Sequence, residues 1–481
     1  MKPLINRLSL FTSEFEGDAI LTTWDGAVIF NHGDIVTTGA QGDGIFGSGS
    51  DVQIANWGDI DAWGDGASAI WTQGAGTIIR NFGNVATHGE PSAGGIPVAI
   101  GVVGDSFLIE NRGTVSTDGL HGWGLAGVGN YGVISNYGSI ATAGEVGHGI
   151  YIRGSNSLIL NRGEIEVVGS GSSGLMLHGY DSTVINYGDI VVTGRGGDGI
   201  RILGDGNSGE NAGDIYLIDG AIMDGAQIIG DGNVFTNSGN IFSQAWFAQG
   251  LINAGSYGHI INSGSISLSG PYSVGVWLIG AEGGFFENSG QITVSDSSKG
   301  IWITGQYIVV NTGVISATGL ETTAISSGIL RWNDGDLILL QFDDTIVNSG
   351  LIVGGVHLSL GDDVYVAATG GRLQGTLQLG EGNDLVVVET KSGVTTIQDF
   401  ATGLGSDDTL DFSAFSFSSF SQIMSAGTQV GNDVLFELDH KTSVILQNVA
   451  LDELSTDDFV FAEAPFALDI FNFNANDSYF I

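Results

Sequence analysis

The chain has 481 residues, with 80 Gly, 5 Pro and no Cys, and its 53 acidic against 13 basic side chains give a formal net charge of −40. A surface this acidic repels nucleic acid and anionic lipid, excluding both as partners, and suits calcium, which takes carboxylate and carbonyl oxygens. At 42% hydrophobic residues the chain has enough to bury, so its glycine implies tight turns rather than disorder, and the absence of Cys excludes a disulfide framework.

In chain order, residues 1–25 come first, and Lys2 and Arg7 are followed by a stretch too short and too polar for the apolar core of a signal peptide. No run approaches the roughly 18 apolar residues that span a membrane, so no membrane insertion is expected. The expectation for residues 1–25 is a cap over one open end of the repeat that follows, and export, if it occurs, by a route without an N-terminal signal.

Residues 26–355 are that repeat. The motif Asn-x-Gly-x-Ile/Val begins at Asn31, Asn56, Asn81, Asn111, Asn136, Asn161, Asn186, Asn211, Asn237, Asn262, Asn288, Asn311 and Asn348, mostly 25 or 26 residues apart. Within each period lie three short apolar segments with period-two alternation, separated by turn residues. That pattern is the signature of strands and leaves no room for a helix. Such a unit cannot bury its apolar face alone, whereas stacked copies share a continuous core. The expected fold is all-β: a right-handed parallel β-helix with three strands per coil of about 25 residues and about 13 coils. At about 4.8 Å per coil the shaft would be about 60 Å long. The Asn column runs the whole length, so it is read as structural, with side chains stacked along the shaft and Gly tolerating positive φ at the turn.

Two coils carry insertions, around Glu90–Pro97 and around Arg331–Asp336, and insertions in solenoids go to loops. The residue after each repeat Asn belongs to the exposed turn. That column reads His32, Trp57, Phe82, Arg112, Tyr137, Arg162 and Tyr187, then changes to Ala212, Ser238, Ser263, Ser289, Thr312 and Ser349. Trp57, Phe82, Arg112, Tyr137, Arg162 and Tyr187 are the candidate ligand-binding residues, because aromatic and Arg ladders can stack sugar rings or anchor a partner. They can equally stack on one another. A second outward column holds Phe46, Trp71, Tyr151, Trp277 and Trp302; Arg153 stacks on His178, and Glu164, Asp189 and Asp214 share a third column, read as a solvated acidic face.

After residue 355 the chain reads Ser359-Leu-Gly361-Asp-Asp363-Val-Tyr365, then Gly380-Glu-Gly382-Asn-Asp384-Leu-Val386. The second is a G-x-G-x-D-x-U half-repeat, and the first matches it with Ser359 for the first Gly. Glycine lets carbonyls point inward and Asp supplies charge, which is calcium chemistry. Further on come Ile397-Gln-Asp-Phe400, Gly405-Ser-Asp-Asp408-Thr-Leu-Asp411, Gly431-Asn-Asp-Val434 and Leu454-Ser-Thr-Asp-Asp-Phe459-Val-Phe461. This succession resembles the RTX (haemolysin-type calcium-binding) proteins and the C-terminal target region of type I secretion substrates. The resemblance implies calcium-binding, β-roll-like coils over 356–390 and an acidic, β-rich secretion domain over 391–481. It implies Ca2+ held by Ser359, Gly361, Asp363, Gly380, Gly382, Asp384, Asp408 and Asp411. It also implies export by the type I machinery of a bacterium and folding outside the cell.

For catalysis the shaft offers one lysine, Lys299, and scattered Arg80, Arg112, Arg153, Arg162, Arg195, Arg201 and Arg331. It has no Tyr-Gly-x-Asp-Pro-His string like that of alginate C5-epimerases, no His-Glu-x-x-His, no nucleophile elbow and no phosphate loop. The expected function is therefore a secreted, calcium-dependent, non-catalytic adhesin, surface-coat or matrix component, whose partner is a polysaccharide or cell-surface glycan. The alternative is a polysaccharide-modifying lyase or epimerase on the same scaffold.

Overall fold

The computed structural model describes residues 3–461 apart from 93–94, 281, 329, 334–335, 340–341, 404 and 406–407, and the side chains of 329–341 are left aside. It is an all-β parallel solenoid of about 16 turns with almost no helix. In the coil that begins at Val133, the strands Val133–Asn136, Ser139–Thr142 and Ile150–Arg153 lie one on each of three sheets. Each pairs in parallel with its equivalent one coil on: Asn136 with Asn161, Ile140 with Ile165, Ile150 with Leu175. The alternation that identified the strands places Ile134, Ile140 and Ile150 inside, all at most 1% exposed.

The Asn column is a buried hydrogen-bond ladder. From Asn31 Nδ2 to Asn56 Oδ1 is 2.7 Å, from Asn161 to Asn186 2.8 Å, and from Asn311 to Asn348 2.8 Å. The same amide nitrogen usually also donates to the carbonyl of the repeat Gly, as Asn186 does to Gly188 at 2.8 Å. The glycine itself has a different reason from the one expected. None of the repeat glycines after the Asn has positive φ. A Cβ on Gly163 would instead lie 1.8 Å from the Gly138 carbonyl of the coil below. Close approach of stacked backbones, not a left-handed conformation, excludes every other residue.

The solenoid is longer than the thirteen motif copies. Of residues 1–25, expected to cap the shaft, the described ones make a coil: Leu4–Asn6, Leu10–Thr12 and Ile20–Thr22 pair with the next coil, and Asn6 Nδ2 donates to Asn31 Oδ1 at 2.7 Å. This copy escaped the motif because Leu8 stands where Gly belongs. At the other end no break falls at residue 355. Val364–Ala367 and Leu385–Val388 extend the first sheet, while Val356–His357 and Leu377–Gln378 extend the third. The ladder position passes from Asn348 to Ala367 and Val388, and the coil shortens to 21 residues between Asp363 and Asp384. The first insertion sits between the second and third sheets and leaves all strands in register; the second forms an antiparallel hairpin of Leu330–Asn333 with Asp336–Leu339.

The C-terminal end is covered. The helix Phe420–Ala426 leads into antiparallel strands Gly427–Val430, Asp433–Asp439 and Thr442–Leu446, the last of which joins the third sheet. Phe412, Phe415, Phe436 and Phe459 pack edge to face or tilted beneath them. Residues 462–481 of the expected secretion region lie outside the described residues.

Candidate functional site

The corner between the first and second sheets carries the residue that follows each Asn. Register stacks these residues, and the structure brings all six expected ligand-binding side chains into one exposed column. Trp57 lies flat between His32, with centroids 4.6 Å apart, and Phe82, at 5.3 Å. Arg112 sits 4.9 Å over the Tyr137 ring and Arg162 4.6 Å over that of Tyr187. Rings here stand across the shaft axis, so their faces point at neighbouring coils and their edges at solvent. Both faces of Trp57 are therefore taken. Beside the column runs an open trough of about 510 Å³, lined by Tyr137, Ser139, Arg162, Glu164, Tyr187 and Asp189. Glu164, Asp189 and Asp214 stand in register along it.

The expected metal residues divide. Just before several of the first-sheet strands, a side-chain oxygen accepts the backbone N–H of the coil below. Ser182 Oγ accepts from Ser157 N at 3.0 Å and Asn207 Oδ1 from Ser182 N at 3.0 Å. Towards the C-terminus aspartates take over. Asp344 Oδ1 accepts from Tyr307 N at 3.0 Å, Asp363 from Asp344 N at 2.7 Å, Asp384 from Asp363 N at 2.8 Å and Asp408 from Asp384 N at 3.3 Å. Asp363 and Asp384 are each 1% exposed, and the Oδ2 atom of each has no hydrogen-bond partner. Burial pushes Asp363 up to about 7 and Asp384 up to about 8, and raises Asp344 and Asp408.

Gly361, Gly380 and Gly382 have φ of +137°, +102° and +151° and stack tightly, a Cβ on Gly382 falling 1.8 Å from the Gly361 carbonyl. Ser359 contributes its carbonyl, which accepts from Glu381 N at 2.9 Å. Asp411 lies apart, at the far end of its strand, where it accepts from Ser413 N at 2.7 Å. Two sealed, orphaned carboxylate oxygens on successive coils fit a hard divalent cation. Among the described residues, no three His, Asp or Glu side chains form a preformed metal cluster. Sequence reasoning missed Asp344 and also Asp399, whose carboxylate accepts from Leu379 N at 2.9 Å and Gly380 N at 3.2 Å.

A third group was also missed. On the outer side of the third sheet one column runs Asp43, Ser68, Val98, Trp123, His148, Ser173, Asp198, Asp224. Asp198 accepts from Ser173 Oγ at 3.3 Å and lies 3.6 Å from Arg201; Asp224 accepts from Gln227 Nε2 at 3.0 Å. Burial raises both carboxyls; the charge of Asp198 raises Asp224 further, while Arg201 lowers both. His148, buried beside Trp123 and Tyr151, is pushed down to about 4 by burial and by Arg201. Such an acid pair could share a proton. At 4% and 6% exposure, however, the two aspartates lie beyond the reach of a bound polymer. The column lies two residues before the inward Ile or Leu of the third sheet, as in Asp198-Gly-Ile200, and no residue type recurs there to signal it.

Residues 8–219 match the family described as the BigA third pectate lyase-like domain, less than half of the chain, and this stretch is similar to that domain. No curated protein matches the chain significantly. Among solved structures, the extracellular lipase LipA from Serratia marcescens is matched at 15% identity over 47% of this chain and 40% of the lipase, with a TM-score of 0.15. The chain thus spans well under half of that lipase, and a likeness this slight adds nothing to the fold derived above. Among the described residues no helix is long and apolar enough to cross a membrane.

Proposed function

We propose that the chain is an extracellular, calcium-dependent, non-catalytic bacterial solenoid that serves adhesion, surface coating or matrix by holding a glycan along one face. The observation that carries this reading is the exposed column from His32 to Tyr187, seven coils of rings and guanidinium groups beside an open trough. A surface repeated coil after coil suits an extended polymer better than a small substrate. In this reading Asp363 and Asp384, with carbonyls of the Ser359–Gly361 and Gly380–Gly382 turns, hold Ca2+; the ion supplies the positive charge that two buried carboxylates otherwise lack. Residues 391–481 serve as the type I secretion target region, a role supported by the Asp-rich motifs between Ile397 and Phe461. A second reading, a polysaccharide-modifying enzyme, is favoured by the Asp198–Asp224 pair with Arg201, and their burial speaks against it.

Incubation of the calcium-loaded protein with a panel of polysaccharides, scoring both retention and new reducing or unsaturated ends, separates the readings. Retention without product is expected. Product that disappears with Asp198→Asn would establish the enzyme instead.

A further inference from the structure

The binding reading leaves open where on the column a sugar could sit, and the geometry favours one place. Within the ladder Trp57 lies between His32 and Phe82, with ring centroids 4.6 and 5.3 Å away, so this inner ring offers no face. A ring at a ladder end keeps a face that can stack on a ligand. Tyr187 is such an end. Its lower face carries Arg162, 4.6 Å away, and the residue as a whole is 43% exposed. On the coil above, the pairing of Asn186 with Asn211 places Ala212 over it, and Ser238 follows on the next coil. Among the described residues no ring or guanidinium covers the upper face of Tyr187. The change from large to small side chains therefore makes a step, with the Tyr187 ring as floor and the backbone of Ala212 and Ser238 as wall.

The flank of that step is polar and negative. Asp189 stands in register with Asp214, which holds Tyr216 Oη at 3.1 Å and Asn240 Nδ2 at 2.7 Å. The Asp189 carboxylate accepts no hydrogen bond from a described side chain or backbone amide, which leaves it available to hydroxyl groups. Downward, the step opens into the trough between Ser139 and Asp189.

We propose that Tyr187, with Asp189, is a subsite for one pyranose ring of a neutral polysaccharide that continues down the trough. The C–H face of the sugar stacks on Tyr187, and its hydroxyls donate to Asp189 and Glu164. A neutral sugar is specified by charge. The one cation here, Arg162, is engaged on Tyr187, while three carboxylates and a net charge of −40 repel uronic or sulfated chains. The inference rests on the glycan-binding reading and names its ligand class and contact point.

The test uses Ala212→Tyr, which continues the ladder and covers the free face. Affinity electrophoresis and calorimetry of the calcium-loaded full chain would use soluble glucan, mannan and xylan, with alginate and pectate as acidic comparators. The expected result is binding of a neutral polymer that weakens about tenfold or more in both Ala212→Tyr and Tyr187→Ala, while Trp57→Ala retains it. Ala212→Tyr should leave the melting temperature unchanged or raised, so its loss of binding cannot come from misfolding. Binding indifferent to both variants, or confined to alginate or pectate, overturns the subsite while leaving the glycan reading intact. Retention of no polysaccharide by the wild type defeats both.

Discussion

Asn186 makes three hydrogen bonds inside the shaft: it accepts from Asn161 and donates to Asn211 and to the Gly188 carbonyl, each at 2.8 Å. Asn186→Ala leaves the Asn161 donor and the Asn211 and Gly188 acceptors short of partners in a dry core, which costs roughly 1–3 kcal/mol. Gly163→Ala acts differently, by forcing a methyl against the Gly138 carbonyl, and overpacking of this kind costs roughly 1–3 kcal/mol or more. Thermal and urea unfolding followed by circular dichroism should show both losses, whereas Ser238→Ala at the exposed corner should change little. The Asn was legible because one residue type recurs at one interval. The reason for its glycine was not, because the clash involves the neighbouring coil and φ carries no trace of it. The Asp198–Asp224 column was illegible for a related reason. Its members, Trp123, His148, Ser173 and Asp198, share a place on the sheet but no chemistry, so no recurring letter marks it.

At the scale of the element, the Asp of the G-x-G-x-D turn proves to occupy the place that Ser157, Ser182, Asn207 and Asn233 hold in the shaft, accepting the amide of the coil below. The sequence revealed Asp363 and Asp384 by their spacing. Asp344 was hidden because the hairpin insertion puts 37 residues between it and its amide donor Tyr307. The resemblance sets Asp411 beside them, whereas strand direction puts it at the far end of Thr409–Asp411, away from the ladder. Replacing a neutral acceptor by a buried carboxylate has a pH consequence. Burial raises Asp363 to about 7 and Asp384 to about 8, well above the ordinary carboxylate range, so the folded coils bind protons more tightly than the unfolded chain. The stabilisation is full below about pH 4 and is lost as pH rises through 7 to 8, with a slope of up to about 1.4 kcal/mol per pH unit per carboxyl. In EGTA the C-terminal coils should therefore melt earlier at pH 8.5 than at pH 5. Millimolar calcium should raise the pH 8.5 value and flatten the dependence. Melting curves at pH 8.5 that are identical with EGTA and with calcium would remove the ion from the account.

For the whole molecule, the two ends behave differently. In the first coil the inward Leu4 is 45% exposed, whereas its stacking partner Ile29 is 1% exposed. The C-terminal coils are closed by a phenylalanine cluster and contain the aspartate ladder. A solenoid folds by adding coils to coils, so the stability of an end coil sets how readily the shaft forms from that side. Where calcium is scarce and the pH near neutral, the ladder is stabilised only to the extent that it holds protons, so the C-terminal end closes less firmly. On the proposed reading such a chain stays unfolded enough for a type I exporter and closes outside on binding calcium. Asparagine already occupies the equivalent place at Asn207 and Asn233, so Asp363→Asn with Asp384→Asn should fit the ladder without any ion. The double variant should fold in EGTA with a higher melting temperature than the wild type at pH 8.5. In a host that carries a type I exporter it should accumulate in the cytosol, while the wild-type chain reaches the medium. Equal export of the two forms, measured by pulse-chase, would break the link between the carboxylate ladder and the route of secretion.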